Sequence, residues 1–439
     1  MNTKQILPLP QEKTDFAQLK ASGRYFVDKT LDLKTIIDID KTKVMLFTRP
    51  SGFGKTMFLS MIDSFLRVDS VNSGNSSFQQ KLFKGTKILK DKNFCDKYMG
   101  QHPVIFLNFK AFKGETIDEA YLNLAQIILN KAKEYNFLKD SPFLDEDDKR
   151  SFEKLTDKNF LLRLDDLTRS YVTSSIIDLS RLLYKHYKKQ VYVLIDDYDV
   201  PFAVSKEKGY HDDLVLLISS LYDFFKTTPQ DPKTSEPYVD RIILTGCFKE
   251  AQNGVADTVN NIYDNSITQN TGHYSEVFGF TSEEINQLLK DCGLEVIASK
   301  VKAHCGGYTF YDKEMYCPES VVNFIDGNNS PFYQRPILHS NSDLSEFIGY
   351  LAHHDEQRLQ NLVDGKSISF YLSEYILFVN VSFRTSDLIW SILLQKGYLA
   401  IDWDKTDSID GGYNCRIYAR LPNLEMKKCF TDNIKFEPL

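Results

Sequence analysis

Residues 43–68 read KVMLFTRPSGFGKTMFLSMIDSFLRV, and the fold turns on them. The run KVMLF (43–47) is short, apolar and bounded by polar residues, which predicts a buried strand. Beyond it, Phe58, Met61, Ile62, Phe65 and Leu66 fall at i, i+3, i+4, i+7 and i+8, the spacing of a helix with one buried face. Between them, TRPSGFGKT (48–56) closes in Gly-Lys-Thr. A turn of this kind between strand and helix points backbone N–H groups at phosphate oxygens, and the helix start adds a partial positive charge. Gly52 and Gly54 permit the turn and the close approach of phosphate. Lys55 is expected on the β- and γ-phosphates, and the Thr56 hydroxyl on Mg²⁺. The pattern G-x-x-x-x-G-K-[ST] asks for Gly at its first position, where this chain has Arg49. That position starts the turn, so Arg fits there with an ordinary backbone angle, and its side chain is expected to add a donor near the phosphates. Arg49, Pro50, Ser51, Gly52, Phe53, Gly54, Lys55 and Thr56 are the candidate nucleotide-binding residues.

Two further strings extend the pattern. VYVLIDDYD (191–199) is an apolar run ending in acids. Asp196 at the strand end is expected to hold Mg²⁺, directly or through water, and Asp197 to polarise the attacking water, with Asp199 assisting. RIILTG (241–246) ends in Thr245 and Gly246, and α/β sheets place ligands at the C-terminal ends of such strands. Thr245 is expected to contact the γ-phosphate or the water. Lys55, Asp197 and Thr245 are therefore the candidate catalytic residues, and Thr56 and Asp196 the candidate metal ligands. A solvated acidic turn and an ordinary strand-end Thr are the bland alternatives. They lose weight because loop and acids occur together, in motif order.

PVIFLNF (103–109) reads as another buried strand, and helices are expected at 116–136, 159–188 and 211–227. Alternation of strand and helix over 40–250 predicts an α/β fold with a mainly parallel sheet. The acidic piece DSPFLDEDDKRSFEK (140–154) reads as a surface insertion. Four parts are expected: a helical lead-in (1–40), the core (41–275), a helical lid (276–380) and a winged-helix-like module (381–439). In the lid, Thr281 and Glu284 open a helix with a capping box, and helices continue around 343–380. In the last part a helix precedes two strands, with Leu399, Ile401 and Trp403 alternating on the first, and Cys415, Ile417, Ala419 and Leu421 on the second.

With 439 residues, 42% of them hydrophobic and 13% aromatic, the chain can bury two or three cores. Its net charge of -7 argues against coating nucleic acid by bulk charge, although the lysine run at 81–97 leaves a local basic face open. Seven cysteines, an odd number without a C-x-x-C pair, read as free thiols in a reducing compartment. His304, Cys305 and Cys317 fit no zinc spacing, and His353-His354-Asp355 reads as a solvated helix end. No signal peptide or membrane span is expected, so the chain is placed in the cytoplasm, a secreted effector remaining an alternative.

Several strings together resemble the bacterial AAA-ATPase-like family, a divergent P-loop group. They are YFVDKT (25–30), LFTRPSGFGKT (46–56), PVIFLNFK (103–110), VLIDDYDVPF (193–202), ILTG (243–246), VFGFTSEEI (277–285), CGGYTF and MYCPESVVNF within 305–324, and LLQKGYLAI (393–401). The resemblance implies a P-loop NTPase core, ATP rather than GTP, Mg²⁺, and hydrolysis that drives or switches conformation. It also implies a non-Gly first loop position, since the family reads R-P-R-R-F-G-K-T. This chain departs from it at Ser51-Gly52, where two arginines are usual, and at Asp197, where Glu is usual. The family's PD-(D/E)XK nuclease-like domain is not visible, and EMK (425–427) lacks the upstream acid such a site needs. Two alternatives stay open: a nucleotide-binding interaction module with little hydrolysis, and a nucleic-acid-associated adaptor. The expected partner is an unidentified protein or a second copy of the chain, and Arg335 in YQRP is a candidate arginine finger.

Overall fold

The near-continuous apolar runs build one sheet. In the computed structural model, which describes residues 9, 15–39, 43–70, 74–222, 229–250, 262–269, 272–326, 341–376, 385–406, 409 and 415–434, the strands β1 (Val44–Thr48), β2 (Val104–Asn108), β3 (Val191–Asp196), β4 (Val239–Gly246) and, after the short β5 (Lys249–Glu250), β6 (Ile262–Asp264) follow in chain order. All but β5 form a five-stranded sheet in the order β2-β3-β4-β1-β6, parallel throughout. Every residue of β1 and β3 is buried, as strands covered on both faces require. Along β3 the side chains alternate. Val191, Val193 and Ile195 join the core under the helices Ile117–Lys133, Glu146–Thr156, Asp166–Tyr187 and His211–Tyr222. Tyr192 and Leu194 join the opposite core, with the helix Lys55–Leu66 and the lead-in residues Phe16, Leu33, Ile36 and Ile37.

The α/β expectation holds, with local differences. β6 was not foreseen, because three edge residues with Tyr263 exposed make no apolar run. The expected helix 159–188 is two, Lys158–Leu161 and Asp166–Tyr187, because the Asp165 side chain accepts from Thr168 N and starts a new helix. The acidic piece at 140–154 is not a surface insertion. Its acids fill the first turn of Glu146–Thr156, where they suit the helix dipole, while Phe152 and Leu155 are buried in the core.

The capping box of Thr281 and Glu284 opens the helix Ser282–Cys292 as expected. The helix Ala298–Cys305, the hairpin β7 (Tyr308–Phe310) and β8 (Lys313–Met315), and the helix Pro318–Asp326 follow. Helices Asn341–His354 and Glu356–Val363 lie within the stretch expected to be helical, but β9 (Ile368–Leu372) interrupts it. Its period is two: Ile368, Phe370 and Leu372 are buried and Tyr371 is 52% exposed. β10 (Tyr375–Ile376) pairs with β5 in parallel. After the helix Ser386–Gln395, β11 (Ala400–Ile401) and β12 (Cys415–Arg420) pair antiparallel, and β9 completes their sheet in the order β11-β12-β9. The helix Leu424–Asn433 closes a third core around Trp390, Leu393, Ile417 and Phe430.

All seven cysteines are free. His353 and His354 are exposed at the helix end as expected, while Asp355 accepts from Trp390 Nε1 and pairs with Arg358. Among the described residues no helix is long and apolar enough to cross a membrane.

Candidate nucleotide-binding site

Register brings the motif ends together. Phe47 pairs with Thr245, Thr48 with Gly246, and Asn108 with Asp196, so the polar strand ends share one edge of the sheet. β4 lies between the loop strand β1 and the acid strand β3, which places Thr245 between loop and acids.

The loop leaves β1 with Arg49 N donating to Gly246 O. Gly52 (φ +79°) and Gly54 (φ +83°) take left-handed backbone, and the helix begins at Lys55. Lys55 is buried, and its Nζ donates to Arg49 O at 2.8 Å and Pro50 O at 3.0 Å, with Cys247 Sγ 3.5 Å away. Burial works against its charge, but Cys247 and the acids at 197, 199 and 196 outweigh it and hold the lysine above its ordinary pKa. Burial pushes the Cys247 thiol itself up to about 11, so at neutral pH the acids do this work.

Asp196 is fully buried and gathers three donors. Its Oδ2 accepts from Thr56 Oγ1 at 2.5 Å and from Asn108 Nδ2 at 2.7 Å, and its Oδ1 accepts from Thr245 Oγ1 at 2.6 Å. Burial and the charge of Asp197 nevertheless push its pKa above the usual carboxylate value. Asp197 is raised too, by burial first, with Lys55 and Lys110 easing it through space. Its backbone is left-handed at φ +52°, a conformation Asp tolerates better than most residues. Two adjacent carboxyls, one fully buried and one partly buried, both raised, are a place where a cation relieves electrostatic cost.

Three of the expected residues have partners within the protein. The Arg49 guanidinium is not a donor near the phosphates. It is fully buried, donates to the carbonyls of Thr48, Asn265 and Tyr274, and lies 4.8 Å from the Phe310 ring centroid. The Asp199 carboxylate is taken up by Cys247 N and Phe248 N, both at 2.9 Å, and braces the segment after β4. The Thr245 hydroxyl proton is committed to Asp196. Asn108 is the residue the motifs missed, although a polar amide closing an apolar strand was a signal. Arg335 lies outside the described residues.

No curated protein is found that matches this chain. The profile of the AAA-ATPase-like family, described as a predicted AAA-ATPase, matches residues 10–256, which hold the loop, the acids and the whole of β1 to β4. That match spans more than half of the chain, and with the parallel sheet and loop geometry above it means that the protein belongs to the AAA-ATPase-like family.

Proposed function

We propose that the chain binds ATP with Mg²⁺ at residues 49–56 and hydrolyses it. The observation that carries this reading is the convergence of Thr56, Asn108 and Thr245 on Asp196, within 2.5–2.7 Å, beside the helix start at Lys55. One hydroxyl and one carboxylate oxygen, Thr56 Oγ1 and Asp196 Oδ2, make the sparse hard-oxygen set that Mg²⁺ uses together with substrate phosphates. When bound, the ion neutralises charge developing on the phosphates. The loop N–H groups cradle the phosphates, and Lys55, held charged, lies against the same loop. Thr245 and Asn108 fix the Asp196 carboxylate so that Thr56 and Asp196 stay in register. Asp197 accepts the proton of the attacking water.

A slow nucleotide switch is the second reading, and Asp197 favours it. Its side chain is one methylene shorter than Glu, and burial favours its protonated form, which is no base. Phosphate release from Mg-ATP decides the matter. The enzymatic reading expects release that disappears in Lys55→Ala; equal release from both proteins refutes it. The switch reading expects tight ATP binding without release, and a gain of release in Asp197→Glu. An arginine from a second copy or a partner protein belongs to the same proposal, as does a role in driving conformational change.

A further inference from the structure

The loop residues that phosphate chemistry does not use are held by the C-terminal half. The side chain of Phe53 leaves the loop and enters the core built by residues 308–430. It is 1% exposed, its ring stands edge-on to Tyr308 at 5.1 Å, and Phe310 lies 5.2 Å away. Its carbonyl accepts from Gly279 N at 3.0 Å, and the carbonyl of Gly52 from Glu319 N at 3.3 Å. A Cβ on Gly52 would come within 2.9 Å of both Cys317 Sγ and Glu319 Oε2, so the loop is seated directly on the start of the helix Pro318–Asp326. Pro50 is met by Gly397, where an added Cβ would approach to 2.6 Å.

This contact has a direction. It takes carbonyl oxygens and side chains, and it does not compete for the loop N–H groups that an anion needs. Its members come from the turn at 279, the β7–β8 hairpin, the helix start at 318–319 and the turn at 397. The left-handed geometry of Gly52 is thereby held from outside the parallel-sheet core.

We propose that Tyr308 and Phe310, acting through Phe53, are positioning residues for the phosphate loop, so that nucleotide binding and seating of the 308–319 segment form one coupled equilibrium. This rests on the reading of residues 49–56 as a nucleotide site. Linkage makes the coupling reciprocal: a seated hairpin tightens nucleotide binding by the factor with which nucleotide tightens the seat. Phe53→Ala removes the plug and keeps every group that would contact phosphate, the loop N–H groups, Lys55 and Thr56. Phe53→Leu keeps an apolar plug.

The test is hydrogen exchange on the full chain, with and without Mg²⁺ and a non-hydrolysable ATP analogue, alongside the affinity for that analogue. In wild type, the analogue slows exchange in both 49–56 and 308–319. In Phe53→Ala, affinity drops about tenfold and protection at saturation is confined to the loop. Without nucleotide, the same variant exchanges faster at 308–319 and unchanged in the helix Asp166–Tyr187. Phe53→Leu recovers most of the affinity, which a general loss of folding would not allow. If Phe53→Ala does not fold, Tyr308→Leu loosens the contact from the other side and carries the same expectations. An analogue that protects the loop of the wild type and leaves 308–319 unchanged overturns the coupling alone. Failure of the wild type to bind the analogue overturns the nucleotide reading and the coupling with it.

Discussion

Arg49→Gly restores the residue that the general phosphate-loop pattern asks for, and the structure predicts that it harms the protein. If Arg49 were a tolerated accident, the change would leave stability intact and ease phosphate approach. The guanidinium instead donates to three buried carbonyls, of Thr48, Asn265 and Tyr274. Losing these three hydrogen bonds costs about 1 kcal/mol each. Losing three buried methylenes costs about 0.8 kcal/mol each. The added backbone entropy of Gly costs roughly 0.5–1 kcal/mol, since Arg49 is not among the left-handed residues that would welcome it. Against these losses stands the relief of not burying a charge. Burial lowers the Arg49 pKa to about 9, with Asp264 only partly offsetting it. That relief returns roughly 3 kcal/mol, the low end of what burying an ion costs. The net loss is about 3 kcal/mol, or about two decades in the folding equilibrium. Urea unfolding followed by circular dichroism reads the whole chain, and tryptophan fluorescence reads the C-terminal half, where Trp390 and Trp403 lie. The expected result is a lower midpoint and weaker binding of an ATP analogue, with Arg49→Lys in between because it keeps the charge and loses the fork. An unchanged midpoint together with tighter binding would refute the reasoning.

Asn108→Ala removes one of three donors to Asp196 and is expected to slow phosphate release about tenfold, the worth of one charge-assisted hydrogen bond. Analogue affinity measured without Mg²⁺ should stay unchanged, and a parallel loss there would mean that Asn108 serves the loop instead. Burial pushes the Glu425 carboxyl up from 4.5 to about 7, with nearby Glu319 adding to the rise. Between those two values the folded chain holds a proton that the unfolded chain has released, so stability falls as pH rises from about 4.5 to about 7 and levels off above. Urea midpoints across that range check the sign, and Glu425→Gln should flatten the slope.

The parallel core was legible because its strands are buried on both faces and read as continuous apolar runs, and because three of them end in chemically distinctive residues. What the sequence withheld was register and side-chain direction. Asn108 stands opposite Asp196 only because β2 and β3 pair in one register, and no local pattern encodes that. β9 hid its period of two among helical neighbours and became a strand through β12, more than 40 residues further on. The helix Glu146–Thr156 was masked by acids that serve its first turn and say nothing about Phe152 and Leu155 two turns later. Arg49 and Phe53 could be seen as departures from a small-residue turn, but a turn does not announce which way its side chains leave it.

Those two departures share one explanation. The general phosphate-loop pattern asks for Gly at its first position and leaves the fifth open. In this chain those positions carry a buried guanidinium and a buried phenyl ring, and both reach Phe310 of the β7–β8 hairpin. The loop therefore has two faces with separate tasks. Lys55, which also holds the carbonyls of Arg49 and Pro50, belongs to the phosphate side, and the carbonyls of Gly52 and Phe53 with the side chains of Arg49 and Phe53 belong to the side packed against the C-terminal half. A substitution on the second face can then weaken nucleotide binding without touching nucleotide. It should also be recognisable, since its effect on affinity would scale with its effect on the stability of the 308–319 segment, whereas Lys55→Ala would lower affinity and leave that segment seated.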